Sequence, residues 1–416
     1  MNRGVFMTLR EDADYIIKES IKHVLPDEAV KSALQDKVFD NGKIYVVAIG
    51  KAAWQMAKAA SEILDNKIEA GVVVTKYDHV KGDIQNMNCF EAGHPVPDEN
   101  SFIGTQAAID LVEHLQENDT VLFLISGGGS ALFEKPLITG NELADITNQL
   151  LACGANIVEI NTIRKRLSAV KGGKFAQICY PAHVYSVVLS DVLGDPLDMI
   201  ASGPAYPDSS SCEDAKAIVE KYKVQLSHQA LALLNQETPK ELFNVETIIT
   251  GSVKNLCQGA MQACKERGYE PIYLTDQLTC QAKEAGSFLS SIAKSYQSAT
   301  KSLAFIAGGE TVVMLTGKGK GGRNQELALS AALGIDGLDE TAVFSIGSDG
   351  TDGPTDAAGG YVDNKTNSLL KSMNIDIYNV LKDNDAYHAL EKCGGLILTG
   401  PTGTNVNDVA VVLIKR

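Results

Sequence analysis

The sequence predicts an α/β protein of two domains, the first a largely parallel layered domain and the second a smaller one on a mixed sheet. Three observations lead there. Short apolar runs closed by glycine alternate with helix-period segments, which is the rhythm of strand, helix, strand. The early runs are continuously apolar, as parallel strands covered on both faces are. Finally, 416 residues with 44% hydrophobic and 21% charged composition are enough for two or three ordinary globular domains.

In order, IYVVAIG (44–50) reads as a strand, AAWQMAKAASEIL (52–64) as a helix with Trp54 and Met56 in the core, and GVVVT (71–75) as the next strand. TVLFLIS (120–126) is a strand, NELADITNQLLA (141–152) a helix, and VYSVVLSDV (184–192) a further strand. A Ser-rich loop, SGPAYPDSSSCED (202–214), and two helical segments lead to QETPKELFNV (236–245), the expected crossing into the second domain. Beyond it VETIITGS (245–252), EPIYLTD (270–276), SLAFIAGGETVVMLTG (302–317), TAVFSIGSDG (341–350), GLILTG (395–400) and DVAVVLIKR (408–416) read as strands. GGETVV resembles a hairpin turn, which makes the second sheet mixed. No internal repeat or low-complexity tract interrupts this pattern.

A formal net charge of -15 opposes non-specific nucleic-acid binding, which needs an extended cationic surface. The first twenty residues carry no apolar segment of signal-peptide length, and no stretch approaches the roughly 18 apolar residues of a membrane span. Eight cysteines without a C-x-x-C pair show neither zinc spacing nor a disulfide framework. A cytoplasmic, soluble protein with reduced thiols is expected. No G-x-x-x-x-G-K-[ST], H-R-D or D-F-G occurs, and Leu132 stands where a nucleophile elbow around Ser130 would need glycine.

Ligands of open α/β sheets bind outside the carboxyl ends of the strands, so the residues that follow strand runs are the site candidates. These are Gly50 and Lys51; the run Ser126, Gly127, Gly128, Gly129 and Ser130; Ser190 and Asp191; Glu310; and Ser348 and Asp349. Lys51 falls in the expected first turn of a helix, where the dipole disfavours a cation unless an anionic ligand is present. Three glycines in SGGGS let backbone N–H groups face a phosphate or a carboxylate.

TGKGKGGRNQEL (316–327) sets Lys318, Lys320 and Arg323 among four glycines in an acidic chain, which points to an anion. Gly317, Gly319 and Gly322 satisfy G-x-G-x-x-G, but a dinucleotide loop is free of such cations and opens a βαβ unit. Asp349, Asp352 and Asp356 form an oxygen-rich loop that suits Mg²⁺ better than zinc. His94, between turn residues, reads as structural.

The ordered set AIGKAAWQMA, AGHPVPDENS, LISGGGSAL, LSDVLGDPLDMIASGP, AGGETVV, GKGKGGRNQELAL, SIGSDGTDGPTDAAGG and GPTGTNVND closely resembles the glycerate 2-kinase family with a MOFRL-type C-terminal domain. The resemblance implies a Rossmann-like N-terminal domain (1–240), a smaller MOFRL-type α/β domain (241–416), and an active site in a cleft between them. It implies transfer of phosphate from ATP, with Mg²⁺, to the 2-hydroxyl of D-glycerate. Lys51 and Arg323 match active-site cations of such enzymes. With them we expect Asp191 to orient or deprotonate the hydroxyl or to hold Mg²⁺, and Asp349 and Glu310 to be the next metal candidates. Gly50, the SGGGS loop, Lys318, Lys320 and Asn324 complete the expected phosphate and substrate contacts. ATP and D-glycerate are the expected partners, with no nucleic acid or membrane, in a monomer or homodimer. The alternatives are a hydroxypyruvate reductase using NAD(P)H, a name family members have carried, a kinase of a related sugar acid, and a non-catalytic binding protein.

Overall fold

The structure, a computed structural model, describes residues 8–39 and 42–416. The opening segment read for a leader thus lies partly outside the described residues. Two compact units emerge, Ala29–Thr250 and, as the other, the described residues up to Glu28 with Gly251–Arg416.

The first unit carries a six-stranded sheet of β1 (Ile44–Ile49), β2 (Ile68–Lys76), β3 (Met87–Ala92), β4 (Thr120–Ile125), β5 (His183–Leu189) and β6 (Val245–Gly251). Their spatial order is β3-β2-β1-β4-β5-β6, and β1 to β5 pair in parallel. Alternate residues serve opposite faces. Val47, Ile49, Val121, Phe123 and Ile125 pack in one core, while Val46, Ala48, Leu122 and Leu124 pack in another. That two-sided burial is why the strands read as unbroken apolar runs. The helix Ala53–Leu64 covers one face and Glu99–Val112 the other. A satellite core joins the helices Gly140–Ala152, Ile157–Leu167, Cys212–Tyr222 and His228–Leu234.

In the second unit β7 (Glu270–Leu278), β8 (Leu303–Gly309), β9 (Thr341–Gly347), β10 (Gly359–Asp363), β11 (Leu396–Ile397) and β12 (Asp408–Ile414) order as β11-β10-β9-β12-β8-β7. β7 and β8 are parallel, and β12 runs antiparallel to both β8 and β9. One face packs on the helices Ala282–Ser295 and Arg323–Ile335. The helix Val253–Glu266 packs against β7 and β8 on its own account, with Leu9–Lys22 beside it.

Three expectations change. The expected domain boundary at 240 moves to 250, because Val245–Gly251 joins the first sheet beside β5, and the first helix belongs with the C-terminal unit. No hairpin follows β8, since the residues after Gly309 leave the sheet and Val312 only bridges Gln281. The mixed character comes instead from β12, whose seven residues insert between β8 and β9. No helix among the described residues is long and apolar enough to cross a membrane.

Candidate active site

In the first unit the strand order reverses between β1 and β4, and the loops that leave their carboxyl ends are the switch point of the sheet. Gly50 and Lys51 leave β1, and Ser126–Ser130 leave β4. The two loops are tied: Lys51 N–H donates to Gly127 O at 2.9 Å, and Ala52 N–H to Ser126 Oγ at 3.1 Å. Gly50 has φ +106, and a Cβ there would lie 2.3 Å from Ser126 O, so only glycine admits the approach. Lys51 precedes the helix Ala53–Leu64 rather than lying in its first turn, and its side chain is exposed. Among the described residues, the amide N–H groups of Gly127, Gly128 and Gly129 find no protein acceptor. They are donors available to an anion.

Asp191, after β5, brings its carboxylate against the same loop, with Oδ2 2.4 Å from where a Gly127 Cβ would stand. Gly127→Ala should therefore push the carboxylate aside and lower kcat by about tenfold or more, with little change in melting temperature. Steady-state rates beside a thermal melt check this.

Buried charge holds the loop from behind. Ser130 O accepts from Lys171 Nζ at 2.8 Å and Arg164 Nη2 at 2.9 Å, and both cations face Glu134, whose side chain is fully buried. Burial lowers the Lys171 ammonium to about 8 despite Glu134. Ser130 Oγ meets Ser202 Oγ at 3.0 Å, and Ser202 donates to Asn161 Oδ1 at 3.1 Å. Ala201 and Ser202 both hold positive φ, 51° and 62°, a strain of about 1–3 kcal/mol each that the surrounding contacts offset. Below, Phe133 packs on Phe123 and Phe175 with centroids 5.9 and 5.1 Å apart, which anchors the end of the loop in the core.

His94 lies against this loop, its Nε2 3.1 Å from a Cβ placed on Gly128, where Lys51 Cγ is 3.2 Å away. Burial, then the charge of Lys51, lowers its pKa below the ordinary histidine value, so the ring is neutral at pH 7. In an NMR titration its midpoint should lie below that of a free histidine and rise in Lys51→Met.

In the second unit the carboxyl ends of β8 and β9 and the start of β12 share one edge, since Asp408 pairs with both Gly309 and Gly347. Arg323 opens its helix there and grips Asp408 through Nε at 2.5 Å and Nη2 at 2.9 Å, with Nη1 3.3 Å from Glu310. A cation at a helix N-terminus opposes the dipole. Asp352 offsets it, accepting from Asn324 N at 3.2 Å and Gln325 N at 2.9 Å as it caps the helix. Burial raises the Asp352 carboxyl to about 7. Asp349, half-buried, accepts the Thr351 N–H at 2.9 Å. Among the described residues no three His, Cys, Asp or Glu side chains converge into a metal cage.

The glycine-rich cationic loop has a different role from the one its composition suggests. Its amides are taken by residues 383–385: Thr316 and Gly317 N–H go to Asn384 Oδ1 at 2.8 and 2.9 Å, and Lys318 N–H to Asp383 Oδ1 at 3.1 Å. Gly319 N–H goes to Asp383 O at 2.8 Å and Lys320 N–H to Asp385 Oδ1 at 2.9 Å. Gly317 and Gly319 are glycine because a Cβ would meet Asp383 and Asp385 at 2.2 and 2.4 Å. The backbone here is no anion cradle, and only the cationic side chains remain to meet a ligand.

Residues 12–235 match the family described as a domain of unknown function (DUF4147), and residues 303–408 match the MOFRL family. The chain is 53% identical to D-glycerate 2-kinase of Thermotoga maritima, over 98% of this chain and 99% of that one. The chain belongs to the glycerate 2-kinase family. It is also 41% identical to a glycerate 2-kinase of Pyrococcus horikoshii, over 99% and 98% of the two chains. The crystal structure of the Thermotoga maritima glycerate kinase superposes with a TM-score of 0.93 at 52% identity, covering 98% of this chain and 99% of that one.

Within this glycerate 2-kinase fold the candidates sort into two groups. Lys51, Gly50, the SGGG backbone, Ser130 and Asp191 meet at the first switch point; Arg323, Glu310 and Asp349 share the second edge. Two side chains are corrected. Ser126 Oγ is buried between Ile49 O and the Ala52 amide, and Asn324 is buried against Ser345 and Asp352, so both fix backbone and neither offers its side chain to a ligand. Lys320 lies over the Tyr387 ring at 4.0 Å, while Lys318 is exposed. Asp352 leaves the expected metal loop to cap a helix, and Asp356 accepts from Tyr387 at 2.8 Å. Asp408 and Glu134 are functional partners that the sequence pattern does not single out, because they sit far along the chain from the cations they pair with.

Proposed function

We propose that this protein is a glycerate 2-kinase: the 2-hydroxyl oxygen of D-glycerate attacks the γ-phosphorus of ATP, the bond to the ADP oxygen breaks, and the proton leaves toward Asp191. The observation that carries this reading is the set of unclaimed Gly127–Gly129 amides beside Lys51 and Asp191 at the switch point of a parallel sheet. Oriented N–H groups and a cation suit phosphoryl transfer, which asks for positioning and charge stabilisation above all. In the second unit Arg323, held rigid by Asp408, offers a cation suited to phosphate. Lys318 and Lys320 steer anions toward it.

Mg²⁺ is commonly held by one or two carboxylates plus phosphates and water, so the lack of a preformed cage is compatible with it. Glu310, exposed, and Asp349, half-buried, are the carboxylates we assign to it; the ion would neutralise phosphate charge. The cytoplasm is the fitting compartment for an ATP-using enzyme with eight unpaired cysteines.

The reductase reading loses its one supporting motif, because Gly317, Gly319 and Gly322 are packed on Asp383, Asp385 and Asp352 and open no dinucleotide site. Two assays separate the alternatives. ADP release should depend on D-glycerate, and NADH with hydroxypyruvate should show no oxidation. NADH oxidation without ADP release would replace the kinase reading by the reductase, and binding without either would leave a sensor.

A further inference from the structure

The second unit holds a cavity of about 620 Å³ between the helices Ala282–Ser295, Arg323–Ile335 and Ile377–Lys382. Its volume suits a nucleoside better than a lone phosphate or a three-carbon acid. Small residues create the depth: Gly334 approaches Ser290 so closely that a Cβ would stand 2.0 Å from its Oγ.

The lining is mixed in a way that fits a base, a sugar and a charge. Tyr378 and Met314 present apolar surface, 69% and 58% exposed, on which an aromatic ring can stack. Ser287 and Ser291 offer hydroxyls, and Lys283 and Lys382 offer positive charge. Glu326 is buried in the lining and is held by Asn384 Nδ2 at 3.2 Å, an acceptor for N–H or O–H groups.

Glu326 follows Arg323 by three residues, one helical turn, so the cavity begins a turn from the guanidinium. Thr316 lines it too and starts the loop that carries Lys318 and Lys320 to Arg323. Asn384, which receives the Thr316 and Gly317 amides, joins wall and loop.

We propose that this cavity binds the adenosine end of ATP, with the triphosphate running past Thr316 along the cationic loop to Arg323. The proposal rests on the kinase reading and adds where the nucleotide sits. Two variants test it, Ser287→Trp, which fills the cavity from an exposed helix position, and Tyr378→Ala, which removes the stacking surface. ADP binding by calorimetry and the KM values of ATP and D-glycerate are measured, with circular dichroism melts as the folding control. We expect ADP affinity to fall and the ATP KM to rise about tenfold or more in Ser287→Trp, with a smaller shift in Tyr378→Ala. The D-glycerate KM should stay within about twofold of the unaltered protein. Unchanged ADP binding in both folded variants would overturn the cavity assignment and leave the kinase reading standing. If the unaltered protein neither binds ADP nor turns over ATP, the kinase reading fails and the cavity assignment with it. Should Ser287→Trp not fold, Tyr378→Ala, exposed on a surface helix, decides alone.

Discussion

Arg323→Met is expected to lower kcat by about a thousandfold or more, the range in which arginines that stabilise phosphoryl transfer act. The side chain is half-buried, spread over Asp408 and Glu310 by three hydrogen bonds, and so pre-oriented before any phosphate arrives. Its loss removes charge where charge develops and also leaves Asp408 buried without its cation. Arg323→Lys should recover little, because an ammonium has one charged nitrogen where Arg323 uses Nε and Nη2 on the two oxygens of Asp408. Lys51→Met, in the first unit, should likewise depress kcat far more than it raises KM. A coupled ADP-release assay with purified variants measures both. Rates within about fivefold of the unaltered protein in Arg323→Met would remove it from the catalytic machinery.

Glu134→Ala is expected to cost about 3–5 kcal/mol of stability, because it leaves Lys171 and Arg164 without the carboxylate that faces them in the core. Lys171 is fully buried, and its ammonium already sits at about 8 through burial. Removing Glu134 takes away the influence that holds the proton on, so the midpoint falls further and the lysine is neutral over more of the physiological range. Urea unfolding reads the loss. The double variant Glu134→Leu with Lys171→Met should regain part of it, since the buried lysine charge is gone while Arg164 still lacks its carboxylate. The same double variant should still turn over slowly, because Ser130 O has then lost the Lys171 ammonium that fixes the glycine loop. Recovery of stability without recovery of rate separates holding the loop from holding the fold.

Much of the fold is legible in the sequence where the physics is local. β1, β4 and β5 are continuous apolar runs because helices cover both faces, and their following residues are the switch-point loops. β3 is harder to see, since MNCFEA is a short edge strand, half-exposed and broken by Asn88 and Glu91. β10 hides in GGYVD, where two glycines stand against β9 and the helix Arg323–Ile335. Lys51, Asp191 and Arg323 were readable as charged residues at strand ends or a helix start. Their partners were not. Nothing near Arg323 in the chain announces Asp408, 85 residues later, and the partners of the cationic loop lie about 65 residues beyond it. Glycines that signal ligand approach and glycines that signal close packing look identical in a sequence. In SGGGS the amides of Gly127, Gly128 and Gly129 have no protein acceptor among the described residues, whereas GKGKGG gives most of its own to Asp383, Asn384 and Asp385.

The most direct measurement is the position of the new phosphate. The protein is incubated with ATP, Mg²⁺ and D-glycerate, and the product is passed to enolase alone or to phosphoglycerate mutase followed by enolase. Transfer to the 2-hydroxyl gives phosphoenolpyruvate with enolase alone, which is the result this account predicts. A signal that appears only when the mutase is present would mean phosphate on the 3-hydroxyl and would contradict it.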